Sequence, residues 1–457
     1  MDYLAREDNL SYLNDLFDRV RQKRCSVVAP VRGRRGVGKT SLVLRAAEKN
    51  PDLPFVYLYA FRTSERDLAR RWGEEAVRVL GYRYSPSFKE PIDVLRFLFS
   101  ESEKRPPAIF VDECPDIAGV SPAFWSSLQC HWDLSKDRSH VLLLMGGSND
   151  IAMRKIFWDY DEPFYARHNA LIELRPFRAS VLERQLRKAN PKMTARDLVL
   201  FYAMTGGVPG YVEKLLDAGA VDVASMVEAF FRDGSFFMTE ASLMLADELR
   251  VDSHHYAFLL TEIAKGVTKR EDLQKRLADV QVGGYLDRLQ FLYGMVKKVE
   301  PVVPMGYRRA RYDLEDPYLL FWHAFVAENA DLVSAHRFDE LKRRFYERWD
   351  DISVRFRIRW LREKIRESCL YFKLGPWWDR RGENEIDLIA ADEKGRVAWA
   401  FEVERAGGKT DPLSLRQKAA VMQGACRSLA GFDLRTKVLT WDDLLRPVEE
   451  FAPLDRA

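Results

Sequence analysis

The stretch GRRGVGKTS, residues 33–41, decides the reading of the chain. It fits the pattern G-x-x-x-x-G-K-[ST] at Gly33, Gly38, Lys39 and Thr40. Ahead of it runs CSVVAPV, an apolar stretch suited to a buried strand, and behind it SLVLRAAEK has helical spacing. A strand, a glycine loop and a helix in that order form an anion cradle. Glycines let consecutive backbone N–H groups turn inward, and the helix start adds positive partial charge. Gly33, Arg34, Arg35, Gly36, Val37, Gly38, Lys39, Thr40 and Ser41 are therefore expected to wrap a triphosphate. Lys39 reaches the β- and γ-phosphates, and the Thr40 hydroxyl ligates Mg²⁺.

A second stretch supports this. IFVDECP (109–115) is an apolar strand ending in two carboxylates. Asp112 is placed to hold Mg²⁺ through water, and Glu113 to orient or deprotonate an attacking water. Further short apolar runs, FVYLYAF (55–61), AIFVD (108–112), VLLLM (141–145) and ALIEL (170–174), are separated by segments long enough for helices. That spacing predicts an α/β fold with a parallel sheet and crossover helices.

The chain has 457 residues, too many for one ordinary core, and a net charge of only +3, so any nucleic-acid surface must come from local clustering. The five cysteines (Cys25, Cys114, Cys130, Cys369, Cys426) are scattered and include no CxxC pair, which argues against zinc ribbons and a disulfide framework. The opening MDYLAREDNL has no apolar h-region, and no apolar run approaches the roughly 20 residues of a membrane span. The expectation is a soluble, cytoplasmic protein.

Weaker motifs follow in a fixed order: Arg6-Glu7, Ser148 after VLLLMGG, FYAR (164–167) and GGVP (206–209). With the two phosphate-site motifs, they make the N-terminal half resemble the archaeal-type ATPases of the AAA+/STAND group. The resemblance implies that Arg6 lies near the adenine, Ser148 at a sensor position, Arg167 at the γ-phosphate and Pro209 against the base. Whether Arg167 would serve its own or a neighbouring subunit stays open.

Four segments are expected: a P-loop ATPase core (1–175), a helical lid (176–250), a winged helix (251–328) and a restriction-endonuclease-like domain (329–457). In the third, YAFLLTEIAKGVTKREDLQKRL is followed by KKVEPVV and RRARYDL, read as a two-stranded wing carrying Lys297, Lys298, Arg308, Arg309 and Arg311. Two roles are open to it, a phosphate-backbone contact with DNA or a packing module. The presumed recognition helix (281–292) is mostly apolar and offers chiefly Arg288 for base edges.

The stretch GPWWDRRGENEIDLIAADEKGRVAWAFEVE resembles the C-terminal domain that follows this type of ATPase, thought to have a PD-(D/E)xK core. Its predicted hairpin, turning at Gly395, brings Asp387 and Glu402 within reach of one Mg²⁺. The family pattern wants Glu-x-Lys, whereas here it is Glu402-Val403-Glu404, so three acids are expected to crowd, with Lys409 or Lys418 as substitute cations. Trp377 and Trp378 are expected in packing, and His254-His255 as structural. The combined expectation is a Mg-ATP-dependent switch controlling a nuclease-like module. The alternative is a DNA-associated regulator or defence effector in which ATP gates DNA binding or cleavage. Protein partners and an oligomer are compatible with both.

Overall fold

The computed structural model describes residues 6–454 other than 24, 85, 250–252, 279, 304–309, 406, 408 and 409. Arg308, Arg309 and Lys409 therefore lie outside the described residues. Two compact units form, residues 1–176 and 177–457.

The first unit is built on a parallel sheet of β1 (Val27–Arg32), β2 (Phe55–Tyr59), β3 (Ala108–Asp112), β4 (Leu142–Gly147) and β5 (Ile172–Glu173), in the spatial order β2-β3-β4-β1-β5. Both faces are covered, so β3 and β4 are buried throughout and apolar up to the Asp112 at the end of β3. Period two divides their side chains. Phe110, Leu142 and Leu144 pack with Leu13, Phe17 and Leu42, from helices Glu7–Lys23 and Lys39–Lys49. Ile109, Val111, Leu143 and Met145 pack with Trp72, Leu98 and Leu128 on the other side.

Pro30 sits inside β1, a central strand, where a missing N–H would ordinarily break the ladder. Its position explains the tolerance. The Val27 N–H bonds Val141 O, whereas the Val28 N–H turns the other way to Asn169 Oδ1. By alternation the Pro30 nitrogen also faces the β5 side, where the ladder begins only at Val31 and Ile172.

The second unit begins with helices, among them Ala179–Ala189, Ala195–Thr205 and Pro209–Asp217. Three shorter helices (Ser253–Ala264, Arg270–Arg276, Val282–Asp287) then lead into the antiparallel ribbon β6 (Val296–Val299) and β7 (Arg311–Leu314). The wholly buried helix Pro317–Phe325 and the long helix Phe338–Ser368 connect this to a sheet of β8 (Lys373–Trp378), β9 (Glu385–Asp392), β10 (Val397–Val403) and β11 (Asp433–Leu439), in the order β11-β10-β9-β8. One hydrophobic cluster runs from Ala179 to Ala452, so the lid, winged-helix and C-terminal segments delimited in the sequence share a core. The hairpin at Gly395 forms, and a helix (Pro412–Ala425) packs on the sheet.

Strand β8 has no clear sequence signal because Gly375 and Pro376 interrupt it. It survives as an edge strand, with a register shift between Gly375 and Trp377. Trp377 and Trp378 are both buried, as packing requires. No described helix is long and apolar enough to cross a membrane.

A buried ionic knot ties the ribbon to the long helix. Asp313 on β7 receives Arg355 at 2.6 Å and Arg359 at 2.5 Å, and Arg355 also caps the carbonyls of Ile263 and Ala264. Against the cost of burial, these guanidiniums hold the Asp313 carboxyl far below the usual carboxylate range. A depressed folded pKa means that the stabilisation is present above the unfolded value of about 4 and fades as pH falls below it. Asp313→Asn should strand the buried Arg359 and the partly buried Arg355 and cost about 3 kcal/mol. A thermal melt at neutral pH checks this by a lowered transition, and the gap from the wild type should narrow in acid.

Candidate functional site

The phosphate loop lies between β1 and the helix Lys39–Lys49. Gly33 has φ 147°, and a Cβ there would come within 2.5 Å of Leu174 O, so only glycine fits. Gly38 (φ 94°) caps the helix. The Arg6 guanidinium bonds Val37 O (3.2 Å) and Arg175 O (2.5 Å), fastening the loop to the chain after β5. Val37 is buried, whereas Arg35, Gly36 and Ser41 are exposed.

Lys39 is 5% exposed. Its ammonium donates to Gly33 O (2.7 Å), Arg34 O (3.3 Å) and Ser148 Oγ (3.2 Å). Burial lowers its pKa, and the charges of Glu113 and Asp112 oppose that shift. The Thr40 hydroxyl donates to Asp112 Oδ2 at 2.7 Å, and the Glu113 N–H to Asp112 Oδ1 at 3.0 Å.

Glu113 adopts φ 52°, an uncommon conformation for a non-glycine residue that costs of order 1–3 kcal/mol. The twist delivers its carboxylate to Ser148, which donates through its N–H (3.0 Å) and its hydroxyl. The close approach of β4 depends on Gly146, where a Cβ would meet the Phe110 ring at 2.8 Å and Asp112 Oδ1 at 3.0 Å. The structure thus gathers Lys39, Thr40, Asp112, Glu113 and Ser148 at the carboxyl ends of β1, β3 and β4. Ligands of open α/β sheets bind at those ends.

One member was missed. The Tyr57 hydroxyl on β2 donates to Asp112 Oδ2 at 3.1 Å, and burial followed by the Asp112 charge pushes its pKa well above the usual tyrosine value. The signal was available, since a tyrosine in the strand paired with β3 has a polar tip that needs a partner.

Arg167 departs from expectation. It grips Asp133 through Nη2 (3.0 Å) and Nε (3.2 Å). Two residues on, Asn169 bonds Ser26 O and Val28 O, at the start of β1. The loop leaves the other end of that strand, roughly 16 Å away at about 3.3 Å per residue. In this chain Arg167 therefore pairs with Asp133 and not with the phosphate loop, which leaves the neighbouring-subunit alternative. Pro209 opens the helix Pro209–Asp217 of the second unit, directly after Gly206 and Gly207 with positive φ.

At the expected second metal pair, each acid carries a cation of its own. Asp387 is gripped at both oxygens by Arg405 (2.7 and 2.9 Å) and receives the Val403 N–H, while Glu402 pairs with Lys418 at 2.7 Å. Burial works against the Arg405 charge, but the bonds and charge of Asp387 outweigh it and raise its pKa. Strand β10 ends at Val403, so the alternation that would crowd Glu404 onto the same face stops short. Among the described residues no cluster of three or more His, Cys, Asp or Glu could hold a metal. Lys418 was foreseen as a substitute cation, but Arg405 was not.

The basic residues of the ribbon are partly committed. Lys297 is mostly buried, and burial followed by the Arg359 charge lowers its pKa to about 8. Arg311 pairs with Glu385 and lies 4.2 Å over the Trp378 ring. In the helix expected to read bases, Leu286 and Leu289 are buried and Arg288 contacts the Tyr256 hydroxyl.

Residues 3–215 match a family model described as an ATPase domain predominantly from Archaea. An uncharacterised protein of Methanocaldococcus jannaschii is 23% identical over 410 residues, spanning 88% of this chain and 87% of that one. A Walker-type ATPase of Pyrococcus abyssi has a similar fold, with a TM-score of 0.51 and 18% identity over 70% of this chain and 96% of that chain. Over residues 3–215 the chain thus carries a domain similar to the ATPase domains that predominate in Archaea, on an α/β fold with a parallel sheet.

Proposed function

We propose that this chain is a Mg²⁺-dependent ATPase working as a nucleotide-controlled switch, with the second unit as the element it controls. The observation that carries the reading is the convergence of Lys39, Thr40, Asp112, Glu113 and Ser148 beside a glycine-shaped loop. The donor set fits the ligands. A buried ammonium whose acceptors are two loop carbonyls and one hydroxyl suits a phosphate oxygen, and a hydroxyl beside a carboxylate suits a hard cation.

In this reading the amides of residues 34–39 and the Lys39 ammonium bind the phosphates, and Thr40 and Asp112 hold the metal. Bound Mg²⁺ supplies charge neutralisation at the β- and γ-oxygens. Glu113 takes a proton from the attacking water once its carboxylate leaves Ser148. Ser148, touching both Lys39 and Glu113, couples the binding group to the base. Arg6 braces the loop, and Arg167, paired with Asp133 in its own chain, serves a neighbouring subunit.

A second reading is a DNA-associated regulator or defence effector in which ATP gates DNA binding. It is favoured by a basic cleft in the second unit. The cations already seated on Asp387 and Glu402 oppose its cleavage version.

Lys39→Ala should abolish ATP binding in calorimetry while leaving the melting profile intact, and unchanged uptake would defeat the proposal. Glu113→Gln should retain ATP binding but lose at least 10²-fold in turnover, as expected for a general base, measured by phosphate release. The full chain with Mg²⁺ or Mn²⁺ and ATP should leave supercoiled plasmid uncut. Metal-dependent nicking that vanishes in Asp387→Ala would restore the cleavage version.

A further inference from the structure

In the second unit a cleft of about 610 Å³ opens between the ribbon with the helix Arg270–Arg276 and the turn joining β8 to β9. Its walls carry Lys269, Arg270, Lys298, Arg311, Arg380 and Arg381, against two acids, Glu271 and Asp379.

Neither acid balances this charge. The Asp379 carboxylate is occupied by its own turn, accepting the N–H groups of Arg381, Gly382, Glu383 and Asn384 at 2.6–3.1 Å and the Asn384 side chain at 2.7 Å. That bonding fixes the turn and projects Arg380 and Arg381, both exposed, from it. Glu271 is exposed at the start of its helix. On the opposite wall Lys269 pairs with Arg311 as an isolated bridge, which sets the wall in place. A Cβ on Gly382 would lie 3.4 Å from Lys269 Nζ, 3.5 Å from Glu385 Oε1 and 3.8 Å from Arg311 Nη2, so two cations and the one carboxylate that Arg311 grips meet beside the turn. Of the six cations, Arg311 pairs with Glu385 at 2.8 Å, Lys298 with Glu300 at 3.1 Å and Arg381 with Glu383 at 3.9 Å. Lys269, Arg270 and Arg380 pair with no carboxylate among the described residues.

An open cleft in which Lys269, Arg270 and Arg380 converge with no carboxylate partner among the described residues repels itself, and a polyanion relieves that repulsion by exchanging for small ions. Gln281, exposed on the rim, adds a neutral donor, and Trp378 forms an aromatic floor beneath Arg311. We infer that this cleft binds the phosphodiester backbone of a nucleic acid, with Lys269, Arg270, Arg380 and Arg381 as the phosphate contacts. The ribbon cations expected from the sequence are secondary, since Lys297 is mostly buried and Arg311 is tied to Glu385. Contacts to phosphates carry no sequence information, so binding is weakly sequence-dependent.

The inference deepens the second reading above but rests on the second unit alone. The test is fluorescence anisotropy of the full chain with a labelled 30-nucleotide single strand and the matching duplex, from 50 to 200 mM salt. Either form should bind with a steep salt dependence, and the tighter one identifies the strand state. The quadruple variant Lys269→Gln/Arg270→Gln/Arg380→Gln/Arg381→Gln should weaken binding by at least about 10²-fold. Its log K against log salt slope should shrink by about 0.9 per lost duplex phosphate contact, or about 0.7 for single strands. Circular dichroism of the same variant keeps a folding defect apart from a binding defect. Arg343→Gln, an exposed cation on the long helix, should change nothing. Lys39→Ala should bind the oligonucleotide as the wild type does, so failure of the ATP site and failure of the cleft are separable. No binding at 50 mM salt, or a folded quadruple variant that binds as before, overturns the proposal.

Discussion

A buried ammonium has to be matched, and the matching of Lys39 organises the first unit. Its three acceptors come from the loop after β1 and the residue after β4, and both of its nearby carboxylates come from the end of β3. Three adjacent parallel strands must therefore end at one level. The all-apolar interiors of β3 and β4, clamped between two helical layers, hold them there. The left-handed backbone at Glu113 is tolerated because the sheet over-determines it, and it turns a carboxylate that would otherwise point into solvent back toward Ser148.

Much of this was legible in the sequence, for physical reasons. Apolar runs bounded by turn residues admit few arrangements, so all five strands of the first sheet overlap the expected stretches, with β1 running one residue and β4 two residues past theirs. The phosphate loop was legible because its chemistry is local, one continuous segment whose spacing is the mechanism. Contacts made across the fold were not. Nothing local to FYAR reveals that Asp133 waits for Arg167, and nothing local to Glu402-Val403-Glu404 reveals that Arg405 bends back over Asp387. Strand β8 was hidden for another reason, since an edge strand tolerates the glycine and proline that a pattern search takes as punctuation.

The second unit shows where delimiting domains by sequence stops being informative. Changes of periodicity mark the helices, the ribbon and the C-terminal sheet well, yet burial ignores these borders. The helix Pro317–Phe325 is buried along its whole length, and an element with no solvent face belongs to every part it touches. In the C-terminal sheet the acids Asp387 and Glu402 each carry a cation of their own.

The knot of Arg355 and Arg359 on Asp313 has a mechanical meaning. One helix of 31 residues holds the ribbon by ionic bonds and lies against the C-terminal sheet along its further turns. Such a strut transmits displacement but absorbs little of it. The two walls of the basic cleft are mounted on parts that this strut joins and that the Arg311–Glu385 pair also clasps directly, so their spacing is held at two places at once.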